Sequence, residues 1–392
     1  MSSILFFLDE LYYYDSKTQG YVSKFVAGEF VKSLAKELNL NAGFAFPVDK
    51  KNLVSYSSVV INPKEFIVEE LPTWDSILSY YKFISKIADY KFLKRKVDDL
   101  VDKYDIFWIR LPSPFGLWLG EEAERSGKLV LYHIAGDIRK GYLSKKYKGL
   151  TKVLAKYLGL YLHNKSLKLG SNGYFLCTGR VLYNEYKKKN KKAFPFIDSL
   201  VKEEDLKPPK SELILPVKFL YVGRLIEEKG IFFLIEALKE IKKTIPLELH
   251  IVGFGKEEEI VKNISQNEDF IKFYGFVPFG ERLFEIYETC NVFVLPTVSY
   301  PEGFPRVILE AWSQGLFVIS SDVGGITGIG IDRENILLFR PGDKEDFMEK
   351  VVSLINDKLL QKRLSKGIEE VQKIITFESN LRLIKDLIGE VK

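Results

Sequence analysis

The chain has 392 residues, of which 46% are apolar and 28% charged, a composition that excludes wholesale disorder and suits two domains of roughly 100–200 residues each. Its net charge of +5 hides an asymmetry: residues 1–200 hold 32 basic and 21 acidic side chains and residues 201–392 hold 26 and 32, so the halves carry +11 and −6 and are expected to meet different partners. No apolar run approaches the ~18 residues of a membrane-spanning helix, and two cysteines, Cys177 and Cys290, build neither a disulfide scaffold nor a zinc site, which points to a reducing cytoplasm.

In chain order, Ile4–Leu8 opens as an apolar run stopped at once by Asp9 and Glu10. Five residues fall short of the ~7–15 of a secretory core, so the segment reads as a buried first strand. A long tyrosine-rich loop follows over Glu10–Gln19, and Gly20 is expected to open a helix. Further strands are expected at Ser58–Ile61, Ile106–Leu111, Leu129–Ile134 and Tyr174–Cys177, rich in Val, Ile, Phe and Tyr and bounded by polar residues, glycine or proline. Such runs, alternating with helical patterns, argue an α/β chain with parallel sheets. His133 and Asp137 lie at the carboxyl end of Leu129–Ile134, where doubly wound sheets bind ligands. Arg110 holds a similar place in the preceding strand. His163 reads as a surface residue and His250 as one packed within a strand.

From Ile138 to Asn184 there is no Asp or Glu, while ten residues are Lys or Arg. Within this stretch Leu150, Val153, Leu154, Tyr157, Leu158, Tyr161 and Leu162 form one helical stripe and Lys148, Lys152 and Lys156 another. Lys187–Lys192 adds five more lysines. Two readings stand for 139–192. One is a basic amphipathic helix on an anionic membrane surface, each Lys contributing ~1 kcal/mol. The other is a core-packed helix with a charged outer face.

Val201–Ser211 is charged, contains Pro208-Pro209 and lacks apolar periodicity, so it reads as a linker. The expected domains are 1–205 and 206–376, with a final helix, 377–392, crossing back to the first. Strands are expected at Lys218–Val222, Glu248–Val252, Lys272–Tyr274, Val292–Leu295 and Phe317–Ser320. A helix over Gly230–Lys243 puts Ile231, Leu234, Ile235, Leu238 and Ile241 on one stripe.

Three segments of this half carry chemistry. Gly223-Arg224 and Lys229-Gly230 set two cations in one loop at a strand's carboxyl end, where both can reach a diphosphate. Either alone reads as a surface charge. Val252-Gly253-Phe254-Gly255 imitates a dinucleotide fingerprint, but Glu258 stands where the third glycine belongs, so it reads as a tight turn. After Leu295 a proline- and glycine-containing loop leads into a helix expected near Gly303, whose free N–H groups and dipole favour an anion. Glu302 at its mouth and Glu310 two turns on would lie about 12 Å apart if helical throughout. That exceeds the ~5–9.5 Å of a glycosidase carboxylate pair and suits two hydroxyl-bearing ends of one long ligand.

Taken in order, Gly223-Arg224, Lys229-Gly230, the Val252–Gly255 turn, Tyr274-Gly275-Phe276-Val277 and Glu302-Gly303-Phe304-Pro305 with Glu310-Ala311 resemble the retaining glycosyltransferase family 4 of GT-B fold. The two glutamates match its E-x7-E pattern, and Ser321–Gly325 and Ile331–Asp343 continue the match. The resemblance covers 217–360 well and the first 200 residues less closely. It implies two Rossmann-like domains facing across a cleft, and an enzyme that moves a sugar from a nucleoside-diphosphate sugar to a hydroxyl with retained configuration. It further implies that Arg224, with Gly223, and Lys229 neutralise the leaving diphosphate. By the same resemblance Glu310 accepts from the ribose hydroxyls, Glu302 meets the sugar, Gly303 and Phe304 present N–H groups and Val277 lies in the loop that meets the base. His133, with Asp137 as its rival, would approach the reacting sugar. No metal or other cofactor is expected, since cationic side chains take its place. Two departures are plain: Gly20 stands alone where the family has two glycines, and Gly328 stands where it has a glutamate. The acceptor reads as a lipid-linked or cell-surface glycan precursor at the inner face of a membrane. The rival readings are a soluble sugar or sugar phosphate, and a non-enzymatic polyanion binder. Nucleic acid is not expected, because no helix-turn-helix, zinc or RNA-recognition motif is present and the C-terminal half is acidic.

Overall fold

The structure is a computed structural model and describes residues 2–23, 27–50, 59–74, 76–139, 147–170, 173–189, 191–298, 304–323, 326 and 329–389. Its contacts divide the chain into two compact units, Met1–Leu200 with Asn380–Lys392, and Val201–Ser379.

The first unit is a mixed sheet with helices between its strands. In chain order these are β1 (Ser3–Phe7), β2 (Tyr12–Asp15), β3 (Gly20–Ser23), α1 (Ala27–Leu38), β4 (Asn41–Asp49), β5 (Val59–Ile61) and β6 (Ile67–Leu71). There follow α2 (Ile77–Ile84), α3 (Ile87–Lys103), β7 (Ile106–Leu111), α4 (Pro114–Arg125), β8 (Leu129–Ile134), α5 (Gly149–Ser166), β9 (Tyr174–Cys177), α6 (Arg180–Lys188) and β10 (Lys192–Pro195). The strand order is β10-β9-β8-β7-β1-β4-β2-β3-β5, with β6 also on β4. From β10 to β4 every pairing is parallel. Parallel strands covered on both faces read as continuous apolar runs, and Ile4 to Phe7 and Val130 to Tyr132 are accordingly without exposed surface.

The second unit is a six-stranded parallel sheet: β11 (Val217–Val222), α7 (Ile231–Ile241), β12 (Leu247–Val252), α8 (Glu258–Asn267), β13 (Ile271–Gly275), α9 (Glu281–Thr289) and β14 (Val292–Leu295). It continues with α10 (Arg306–Ser313), β15 (Phe317–Ser321), β16 (Leu337–Phe339), α11 (Lys344–Asn356), α12 (Lys358–Gln372) and α13 (Phe377–Gly389). The order is β13-β12-β11-β14-β15-β16. The connection reverses direction between β11 and β14, which makes their carboxyl ends a switch point of the kind that binds ligands. Helix α13 starts with Phe377 N–H donating to Val201 O at 2.7 Å, and from Asn380 its residues belong to the first unit.

Each of the ten expected strands is present, with ends shifted by a residue or less; Ser58 lies outside the described residues. The expected loop over Glu10–Gln19 is corrected. It forms a hairpin, β2 antiparallel to β3, with Tyr13 opposite Val22 and Tyr14 opposite Tyr21. Gly20 therefore begins a strand, not a helix, and α1 starts at Ala27. The reason is tertiary: Tyr12 is wholly buried and stacks on Phe46 at 3.9 Å, and Tyr21 donates to Glu70 at 2.6 Å. Tyr12 is an inward anchor of a strand, not a loop residue, while Tyr14 two positions on is exposed.

Candidate functional site

The second unit gathers the polar groups at the carboxyl ends of β11 to β14. Where β11 ends, Gly223 N–H donates to Val252 O at 3.1 Å and Leu225 N–H to Phe254 O at 2.8 Å, so the loops after β11 and β12 are laced together. Gly253 has φ +155°, and a Cβ there would stand 1.9 Å from Gly223 O. Only glycine permits that approach. Tyr221, nearly wholly buried, donates from its hydroxyl to Arg224 O at 2.8 Å and fixes the turn that presents Arg224. A single 3₁₀ turn, Glu227–Lys229, then carries Lys229 to the start of α7. Its Glu228 O accepts from Val298 N–H, in the loop after β14, at 3.0 Å. Burial, and secondarily the Arg224 charge, push the Lys229 ammonium down to about 8. Partial exclusion of water and a second cation nearby both disfavour the charged form of a lysine.

Glu310 comes from α10, the helix that follows adjacent strand β14. Its carboxyl is only partly covered, but it lies so deep among protein atoms that desolvation raises it to about 7, against the hydrogen bond from Tyr287 and the charge of Arg306. Tyr287 Oη donates to Glu310 Oε2 at 2.9 Å. Phe304, half-buried, packs 6.1 Å from Trp312. The helix expected near Gly303 begins at Arg306, with Pro305 as its N-cap. The condition attached to the 12 Å spacing, helix from near Gly303 onward, is thus not met at Phe304 and Pro305. Glu302 and Gly303 themselves lie outside the described residues, as do Gly328 and the pair Gly324-Gly325. Val277 is buried, whereas its neighbour Phe276 is 63% exposed and meets Phe254 edge-on at 5.1 Å. The structure thus places Gly223, Arg224 and Lys229 in the loop after β11 and Glu310 on α10, the helix that follows the adjacent strand β14.

In the first unit, β8 carries His133 among its buried side chains. The ring is 1% exposed, lies 5.5 Å from Trp108 and 5.1 Å from Phe196, and has Nε2 at 3.3 Å from Thr178 Oγ1. Asp137 is gripped by Arg139, whose Nε and NH2 reach its two oxygens at 2.8 and 2.9 Å. Burial acts to raise this carboxyl, but Arg139 outweighs it and holds it below the usual range. The other side of Arg139 binds Glu185, which in turn meets His163 Nε2 at 2.8 Å. The expectation that His163 lies on the surface is therefore corrected: it is 5% exposed and ends a hydrogen-bonded chain through Glu185 to Arg139. His250 packs within β12 as expected, with Nδ1 at 2.9 Å from Tyr274 Oη. Arg110 pairs with Glu10 at 3.2 Å.

Two groups escaped the sequence reading. Asp9, just past β1, accepts from Trp74 Nε1 at 3.2 Å and is pushed by burial up to about 6. The other is Tyr287. It occupies the inward stripe of α9 with Leu283 and Ile286, and a phenol on an apolar stripe signals a hidden hydrogen-bond partner. Among the described residues no group of three or more His, Cys, Asp and Glu is placed to hold a metal ion.

On helix α5 the apolar stripe divides. Ala155, Gly159 and Leu162 face inward, while Leu150 is 88%, Tyr157 65% and Tyr161 58% exposed, beside exposed Lys148, Lys152 and Lys156. The outer face is thus apolar and basic, not merely charged. No helix among the described residues is long and apolar enough to cross a membrane.

Residues 203–371 match the family model described as "Glycosyl transferases group 1". Over 174 residues the chain is 30% identical to an uncharacterised glycosyltransferase of Methanocaldococcus jannaschii, covering 44% of this chain and 48% of that one. It is 29% identical over 150 residues to a capsular polysaccharide biosynthesis glycosyltransferase, CapM, of Staphylococcus aureus, covering 37% and 38%. The chain thus spans about half the length, or less, of these curated relatives. Among solved structures, HepE of Anabaena in complex with UDP superposes over the full length of both chains with a TM-score of 0.64 at 16% identity. A lipopolysaccharide outer core galactosyltransferase, WaaB, superposes over both whole chains with a TM-score of 0.61 at 17% identity. The fold is that of the GT-B glycosyltransferases, two Rossmann-like α/β units.

Proposed function

We propose that the chain is a retaining glycosyltransferase of family 4 that moves a sugar from a nucleoside diphosphate to a hydroxyl acceptor. The observation that supports this reading is that Arg224 and Lys229 lie in the loop after β11 and Glu310 on the helix after the adjacent strand β14. The match of residues 203–371 to group 1 glycosyltransferases supports it. Arg224 and Lys229 would take the diphosphate, whose charge grows as the sugar departs, in a site where they need no reorganisation. Glu310 would accept from the ribose, Val277 and its loop would border the base, and Glu302 with Gly303 and Phe304 would hold the sugar. No metal is required, because the cations are supplied by side chains. His133, with Asp137 as its rival, is proposed for a polar role towards the acceptor. A thermal-shift screen of UDP, GDP and ADP and their sugars tests the reading. Ligand at 100 times its dissociation constant stabilises by ~2.7 kcal/mol. The absence of any shift, with unchanged transfer in Arg224→Ala and Lys229→Ala, would defeat it.

We further propose that the acceptor is a lipid-linked or cell-surface glycan precursor, reached with α5 lying on the cytoplasmic face of an anionic membrane. The exposed Leu150, Val153, Leu154, Tyr157 and Tyr161 between lysines support this. Apolar residues enter the interface and lysines meet the lipid charge, each worth ~1 kcal/mol. Binding to phosphatidylglycerol vesicles is expected at low salt and should weaken as salt rises. The double variant Leu154→Asp, Tyr157→Asp should lose it while keeping nucleotide binding. Co-sedimentation of that variant equal to wild type would leave the soluble-acceptor reading in place.

A further inference from the structure

Tyr287 is wholly buried in α9, its ring stacked 6.1 Å from Phe293 of β14 and tilted against Phe284 at 6.5 Å. A buried hydroxyl without a partner is costly, so its direction is informative. It reaches Glu310 Oε2 at 2.9 Å and, more weakly, Val307 O at 3.4 Å. Both acceptors lie on α10. The phenol therefore ties α9, which follows the Val277 loop, to the one carboxylate of α10.

We propose that Tyr287 is a positioning residue that aims the Glu310 carboxylate at the vicinal diol of a ribonucleotide. The inference rests on the preceding assignment of Glu310 to the ribose. A carboxylate has about four acceptor positions on its two oxygens. Tyr287 engages Oε2, which fixes the plane of the group and leaves Oε1 for the ligand. An ionised carboxylate only accepts, whereas a protonated one presents a donor on one oxygen. Affinity for a diol thus follows the ionised fraction, and a phenol that donates to the carboxylate raises that fraction. Among the described residues, the groups that face Glu310 are Tyr287 from α9 and Arg306 on α10 itself. Cys290 faces Tyr287, and burial pushes its thiol up to about 12, so it stays neutral throughout the range that matters.

The test is calorimetric affinity between pH 5.5 and 8.5 for UDP, GDP and ADP, each beside its 2′,3′-dideoxy form, in wild type, Tyr287→Phe and Glu310→Gln. The two members of a pair share their diphosphate, so their affinity ratio removes the titrations of the phosphate and of Lys229. In wild type the ratio is expected to rise by up to tenfold per pH unit below about 7 and then level. Tyr287→Phe removes one oxygen and keeps the ring. It should move the bend up by about one pH unit, lowering the ratio at pH 7 about fivefold and restoring it towards pH 8.5. Glu310→Gln should give a low, flat ratio. A Tyr287→Phe curve superposed on wild type overturns the inference and leaves the ribose assignment standing. So does an equal loss of dideoxynucleotide affinity, which would mark a general structural effect. A wild-type ratio of one at every pH overturns the ribose assignment, and binding by none of the nucleotides overturns the proposed function with it.

Discussion

Lys229→Met is expected to weaken nucleoside diphosphate binding by roughly ten- to a hundredfold, the loss of a charge-assisted contact of about 1.5–3 kcal/mol, with no loss of thermal stability. The two halves of that result have one cause. Lys229 sits where burial, and then the neighbouring Arg224, oppose its charge and lower it to about 8. The unfolded chain keeps that proton to the ordinary lysine range, so between about 8 and 10.5 the unfolded state binds more protons and this group makes stability rise with pH. Below 8 the native state carries the strained ammonium. Removing it leaves the melting temperature at pH 7 unchanged or higher. Binding has the opposite sign: the ammonium must be protonated to meet the diphosphate, so wild-type affinity should fall as pH rises through about 8. The methionine variant should lack that limb. Calorimetry across pH 6.5–9.5 with parallel melting curves checks both. Loss of binding with an equal loss of folding would make Lys229 a structural residue.

Much of this site is legible in the sequence because it depends on short-range pattern. Strand β11 runs into Gly223-Arg224 and out through Lys229-Gly230 within eight residues, and glycines mark where loops must touch. The apolar strands are legible for a similar reason, since a parallel strand buried on both faces has little polar interruption. Strand β4 shows where such reading stops. It pairs with β1 and β6, yet Gly43 and Pro47 break its apolar run. Gly43 is there because Tyr104 occupies the space of a Cβ, with its hydroxyl 2.1 Å from that position. Pro47 is tolerated because pairing with β1 ends at Ala45, so the missing N–H is not needed on that side. Both facts are set by residues far along the chain. Tyr287 escaped for the same reason: its partner is 23 residues away on another helix. Helix α5 is intermediate. Its period of apolar residues is visible in the sequence, but which of them lack a covering neighbour is a property of the fold.

Gly230→Ala should be a strongly damaging single-methyl change in the second unit. Gly230 has φ +75°, and a Cβ would stand 1.9 Å from Pro296 O and 2.8 Å from its carbonyl carbon. A left-handed residue with a side chain costs about 1 kcal/mol by itself. Here the methyl group also meets backbone that cannot rotate away, because Val298 N–H and Glu228 O hold the two loops together. A total near 2–4 kcal/mol follows, or a fall in melting temperature of roughly 5–15 °C for a unit of this size. The separation of loops should also displace Lys229 and reduce nucleotide binding at temperatures where the variant is folded. Gly342→Ala is the matched control. Its φ is also +75°, but nothing lies within 4 Å of the added carbon. It should show only the conformational cost, a few degrees, with nucleotide affinity intact. If the two variants melt alike, contact between the loops after β11 and β14 does not constrain the position of Lys229.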